Sequence, residues 1–145
     1  GINFWPEERG RDGCRTPMVW EAAAPNAGFS AAPRCWLPVK PAQAAVAVDT
    51  HGAGSVLEFY REMLALRRAR ADLVTGASAF FDLPEPLLAF RRGAGTLCIF
   101  NLSPATVVAP VSGGAVLLSQ DCAAMHGGLR LGPNGFALLD GGAVG

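Results

Sequence analysis

The chain has 145 residues, with 12 basic and 12 acidic side chains and a formal net charge of zero. Half of it is hydrophobic and 17% is charged, the balance of a packed protein and not of a disordered one. One lysine and no net positive charge argue against nucleic acid as a partner, and no apolar run approaches the roughly 20 residues that cross a bilayer.

The opening, Gly1-Ile2-Asn3-Phe4-Trp5-Pro6, is apolar and carries no cap or leader signal, so it reads as the middle of something larger. From there to about residue 54 the chain is rich in Pro, Gly and Ala and holds all three tryptophans. Such texture predicts long irregular structure, which compact domains keep mostly for function. The apolar run from Ala44 to Val48 reads as a strand or a core segment.

Ser55-Val56-Leu57-Glu58 has the form of a capping box. Val56, Phe59, Tyr60, Met63, Leu64 and Leu66 follow at helical spacing, which predicts one amphipathic helix with a wide apolar stripe. Arg67, Arg68 and Arg70 gather where its last turn should lie, and positive charge is favourable there. A stripe that wide needs a large surface to pack on, and no earlier strands supply one. The first half therefore reads as the end of a bigger domain.

From about Gly76 the pattern predicts short strands. They fall at Ala79–Leu83, Leu87–Arg91, Thr96–Leu102, Thr106–Val111, Ala115–Ser119 and Phe136–Leu139, with a weaker one at Leu129–Leu131. Turns are expected at Pro84-Glu85-Pro86, Gly93-Ala94-Gly95, Ser112-Gly113-Gly114, Gly127-Gly128 and Pro133-Asn134-Gly135. Strands with no helix between them point to an antiparallel sandwich. The phenylalanines at 80, 81, 90, 100 and 136 all sit in apolar runs and read as core, not as an exposed aromatic row.

The cysteines at 14, 35, 98 and 122 form no C-x-x-C pair, and His51 and His126 stand alone, so neither a metal nor a cofactor is expected. Free thiols in a reducing, cytoplasmic setting suit a chain with this much apolar content. The densest polar cluster runs from Glu7 to Met18. Arginines beside an aspartate in a glycine-containing loop can aim a rigid fork at hydroxyls or carboxylates. An internal ion-pair network that holds the loop in shape fits the spacing at least as well.

Gly10-Arg11-Asp12-Gly13-Cys14-Arg15-Thr16-Pro17-Met18, then Trp20, Ala24-Pro25-Asn26-Ala27-Gly28-Phe29-Ser30 and Trp36-Leu37-Pro38-Val39, closely resemble the α-glucosidases of glycoside hydrolase family 13. The string Ser55-Val56-Leu57-Glu58-Phe59-Tyr60-Arg61 resembles the eighth barrel helix of those enzymes, and Phe100-Asn101-Leu102 and Gly135-Phe136-Ala137 their C-terminal β domain. The resemblance implies a mixed fold. Residues 1–75 would end a (β/α)8 barrel, as the loop after strand 8 plus helix 8, and residues 76–145 would form an all-β antiparallel sandwich. A complete barrel needs about 250 residues, so the rest of it would be missing from this chain.

The activity implied is retaining, exo-acting hydrolysis of α-linked glucose from an oligosaccharide. No residue here matches the three catalytic carboxylates of the family, so no catalytic role falls on Glu7, Glu8 or Asp12, and the fragment alone is expected to be inactive. By resemblance Arg11 grips the terminal glucose, while Arg15 and Asp12 brace the loop. Val19 and the pair Glu8-Arg9 depart from the usual pattern. The competing reading is a non-catalytic β-sandwich module that binds glycans or a partner chain.

Overall fold

The computed structural model describes residues 10–145, which fall into two compact units divided between Tyr60 and Arg61. Each is built around its own small core.

In the first unit the chain is irregular, as its composition predicts. It makes 3-10 turns at Asp12–Cys14, Pro25–Gly28 and Val48–Thr50 and one short helix, α1 (Pro41–Ala44). Asn26 and Ala27 both take left-handed backbone conformations, with φ of 50° and 52°. That tight reversal lets the carbonyl of Ala27 accept from the amides of Trp20 and Glu21, at 2.9 and 3.2 Å. Val19, Ala27 and Ala47 form the core, with Val39 packed against them. The run from Ala44 to Val48 is therefore a core segment and not a strand: it leaves α1, buries Ala47 completely and enters a 3-10 turn.

The predicted helix, α2 (Val56–Ala69), runs across the division. The hydroxyl of Ser55 accepts the Glu58 amide at 3.3 Å, satisfying one of the amides a helix start leaves open. No residue of α2 is buried, and Val56 and Tyr60 on the apolar stripe are largely exposed. One expectation fails at its end. Arg70 does not sit in the last turn of α2: its backbone is extended (φ −122°, ψ 112°) and leads into α3 (Ala71–Thr75). It faces partners instead of a helix dipole. Its guanidinium bonds Asp140 at 2.8 Å, Asp72 at 3.2 Å and the Thr96 hydroxyl at 2.9 Å.

The rest of the second unit is antiparallel β structure, as expected. Its strands are β1 (Ser78–Phe81), β2 (Leu87–Arg92), β3 (Thr96–Asn101), β4 (Val107–Ala109), β5 (Val111–Ser112), β6 (Ala115–Met125), β7 (Gly128–Asp140) and β8 (Ala143–Val144). Six strands form one sheet, ordered β1-β2-β3-β7-β4 with β6 along the other edge of β7, and β5 pairs β8 in a separate ribbon. Pro110, which has no amide proton to offer a ladder, stands where the chain leaves the sheet as β4 and enters the ribbon as β5. Leu97 and Ile99 of β3, Ala137 and Leu139 of β7, and Val111 of β5 share the main core, so the ribbon closes over the sheet.

β6 and β7 are longer than the sequence pattern implies. Pro133-Asn134-Gly135 does not reverse the chain; the reversal lies at His126-Gly127, and the two short strands expected at 129–131 and 136–139 are one. Gln120 pairs Phe136 while Cys122 pairs Leu131, so Asp121 alone stands opposite 132–135. A Cβ at Gly132 would meet the Asp121 carboxylate, which would have to turn aside. Asn101, almost wholly buried, holds this bend: its amide donates to the carbonyls of Ala105 and Gly132 at 2.6 and 2.7 Å, and its oxygen accepts from the Ser103 amide and hydroxyl.

The phenylalanines also depart from expectation. Phe81 packs on the main core, but Phe80, Phe90, Phe100 and Phe136 form a row across the strands with ring centroids 5.3, 5.9 and 5.9 Å apart. Strand alternation puts this row on the face opposite Leu97 and Ile99. Only the outermost ring, Phe80, is more exposed than buried; Phe136 is 8% exposed.

Candidate functional site

The arginine-rich loop is displayed on a firmly tied segment. From Thr16 to Trp20 the residues alternate: Pro17 and Val19 are buried, Met18 and Trp20 face outward. The Val19 carbonyl accepts the Val48 amide, that of Trp20 accepts the Asp49 amide, each at 3.0 Å, and the Asp49 carboxylate accepts the Ala22 amide at 3.1 Å. Gln43 of α1 donates to the Thr16 hydroxyl at 2.8 Å and accepts the Lys40 amide at 2.9 Å. Val19, one of the departures from the family pattern, thus changes packing within this unit and does not face outward. Glu7, Glu8 and Arg9 lie outside the described residues.

Arg11, Asp12 and Arg15 share one turn at the head of this segment. The Arg11 carbonyl accepts from the Cys14 amide at 3.1 Å and from its thiol at 3.0 Å, and the Asp12 carbonyl accepts the Arg15 amide at 3.1 Å. The Arg11 and Arg15 side chains are exposed and Asp12 is partly buried. A guanidinium offers hydrogen-bond donors only, so Arg11 and Arg15 are suited to binding and orienting a ligand's acceptors.

A second group in the same unit was not foreseen from the sequence. Among the described residues Arg34, Cys35 and Trp36 line a recess of about 480 Å³, and Trp36 is 95% exposed in this chain. A tryptophan between two prolines, Pro33 and Pro38, is the signal that could have found it: a large apolar ring on a stiff loop with no helical or strand period to bury it.

No group of three or more histidine, cysteine or acidic residues that could hold a metal occurs among the described residues. The four cysteines are free thiols; burial pushes Cys98 up to about 11 and raises Cys122 as well, which keeps both unreactive. No described helix is long and apolar enough to cross a membrane.

The chain belongs to the α-amylase family: the model of the alpha amylase catalytic domain matches residues 2–76. A probable alpha-glucosidase of Rhizobium meliloti is 46% identical over 108 residues, 71% of this chain and 19% of that protein. The oligo-1,6-glucosidase of Parageobacillus thermoglucosidasius is 36% identical over 106 residues, 69% of this chain and 18% of the relative. Among solved structures, the alpha-glucosyl transfer enzyme XgtA superposes with a TM-score of 0.64 at 38% identity, over 95% of this chain and 28% of that one. The chain thus spans about a fifth of the length of these curated relatives.

Proposed function

We propose that this chain is part of an exo-acting, retaining α-glucosidase that removes terminal α-linked glucose from maltose- or isomaltose-type oligosaccharides. Residues 1–75 are the end of its catalytic barrel, residues 76–145 its C-terminal β-sandwich domain, and the compartment is the cytoplasm. The chemistry belongs to carboxylates outside this chain, one as nucleophile and one as acid, so the chain alone releases no glucose. Arg11 holds the terminal sugar; Asp12 and Arg15 keep its turn in shape.

One observation carries the reading: the string Arg11-Asp12-x-x-Arg15-Thr16-Pro17-Met18 leads into a segment tied by hydrogen bonds of Thr16 to Gln43, Val19 to Val48 and Trp20 to Asp49, with the Arg11 side chain exposed at its head. A rigid support with an exposed fork is what recognition of a sugar hydroxyl needs. The module reading is weaker, because the aromatic row on the sheet is mostly covered.

The test is Arg11→Ala in a protein that joins this chain to the rest of its barrel. By resemblance Arg11 pairs, in the complete barrel, with an aspartate of an earlier loop; losing such a charge pair costs about 2–5 kcal/mol, so kcat/KM for maltose should fall by roughly two to three orders of magnitude at 1.36 kcal/mol per tenfold. Arg11→Lys should recover little, because a point charge cannot reproduce the fork. A lowered Tm with unchanged kinetics in the folded fraction would make Arg11 a brace and move the binding role elsewhere.

A further inference from the structure

We infer that Gln43 is a positioning residue for Arg11: its side-chain amide clamps Thr16 and so sets the direction from which Arg11 meets the sugar, an inference that rests on the activity proposed above. The clamp has two jaws. Gln43 Oε1 accepts the Lys40 amide at 2.9 Å, and Nε2 donates to the Thr16 hydroxyl at 2.8 Å. A main-chain N–H can only donate, so the Lys40 bond decides which end of the carboxamide is oxygen and leaves the nitrogen to face Thr16. Gln43 and Thr16 are both half-buried, where water competes less for a bond between side chains.

Each jaw leads further into the unit. Behind Gln43, the Val46 and Ala47 amides donate to the carbonyls of Gln43 and Ala44 at 3.1 and 3.2 Å, and Ala47 is wholly buried in the core beside Val19 and Ala27. Beyond Thr16 lies the arginine turn. Arg15, its neighbour in the chain, donates its amide to the Asp12 carbonyl, and Cys14 donates to that of Arg11, both at 3.1 Å. On the other side of Thr16, Pro17 is buried and has a fixed φ. The clamp therefore ties the open end of the turn Asp12–Cys14 to the core from 27 positions away. A 3-10 turn of three residues has few bonds of its own with which to hold its shape. A fork that must meet a sugar hydroxyl loses much of its value when it is displaced by even an ångström.

Thr16→Val keeps the shape of the side chain and the Lys40 bond but removes the acceptor, and Thr16→Ser puts the hydroxyl back. In this chain, amide exchange followed by NMR should quicken about tenfold at Cys14 and Arg15 in Thr16→Val and in Gln43→Met, and return to the parent rate in Thr16→Ser. The Val48 and Asp49 amides, bonded to Val19 and Trp20, should exchange as before. In a protein that joins this chain to the rest of its barrel, Thr16→Val should lower kcat/KM for maltose about tenfold. It should cost nothing further in the Arg11→Ala background, because a residue that acts through Arg11 then has nothing left to position. Equal losses in both backgrounds, or faster exchange at Val48 and Asp49 as well, would mean that the bond only stabilises the unit. No kinetic loss, or unchanged exchange at Cys14 and Arg15, would mean that it fixes nothing. Each of these overturns the inference. If the unmutated protein does not act on maltose, the proposed activity is refuted instead, and the exchange rates in this chain decide the clamp.

Discussion

Arg70 and Asp72 show how much a side chain's role depends on what faces it. A cluster of arginines at a helix end is favoured by the dipole, and Arg67 and Arg68 do lie in the last turn of α2, Arg67 also donating to the Leu73 carbonyl at 3.0 Å. Arg70 differs by one turn of backbone, yet it becomes the centre of a knot. The Thr96 hydroxyl donates to Asp72 at 2.6 Å, and together with Arg70 it holds the Asp72 carboxyl down at about 2, below the ordinary value near 3.9. A carboxyl depressed in the folded state adds stability that is complete above about pH 4 and lost as the pH falls toward 2. Asp72→Asn should therefore be less stable than the parent at pH 6, and the gap should narrow between pH 4 and pH 2. Urea melts at pH 6 and pH 3 measure it; a gap of constant size would mean that the carboxylate charge contributes nothing. None of this was legible in the sequence, because Thr96 and Asp140 lie 24 and 68 positions from Asp72 and only the sheet brings them together. The turn that carries Arg11 was legible for the opposite reason: its main-chain bonds, Cys14 to Arg11 and Arg15 to Asp12, are local.

At the scale of elements, the readable parts are those whose signals are local. α2 begins where Ser55 can cap it and keeps a helical period to its end; β1, β2 and β3 are separated by turn residues that do turn the chain. β7 misleads because Pro133-Asn134-Gly135 has turn chemistry and is used as a bulge, a choice made by Asp121 on the neighbouring strand. Glycine has two meanings in this strand pair. Gly127 turns the chain with φ of 84°, whereas Gly128 admits a close neighbour: a Cβ there would press on the carbonyl oxygen of Ala109 in β4. That oxygen cannot retreat freely, since Ala109 pairs Leu129 in the ladder. Gly128→Ala should cost about 1–3 kcal/mol in a denaturant melt, the usual range for forcing extra atoms into a packed place. An unchanged melt would mean that β4 does not lie against β7 in solution.

Over the whole molecule the two units are unlike in how much they bury. Among its described residues the first has a core of three small or medium residues and keeps Met18, Trp20, Phe29 and Trp36 on its surface. The second has nine core residues and a ribbon to close them. Composition announced the difference, with Pro, Gly and Ala before residue 54 and alternating apolar residues after 76. It could not announce which aromatics stay exposed, because exposure is a property of the assembled surface.

The buried amide of Asn101 has one more consequence. Asn101-Leu102-Ser103 has the form of an acceptor for N-linked glycan, which is attached to that same amide nitrogen. In the folded chain the nitrogen is spent on Ala105 and Gly132, with no room for a sugar. Glycosylation and folding are therefore mutually exclusive in this chain. Secreted from a eukaryotic host, it should divide into a folded form without glycan and a modified form that cannot close the bend of β7. Intact mass across a size-exclusion profile would separate the two, and a compact, folded glycoform would show that Asn101 does not hold that bend.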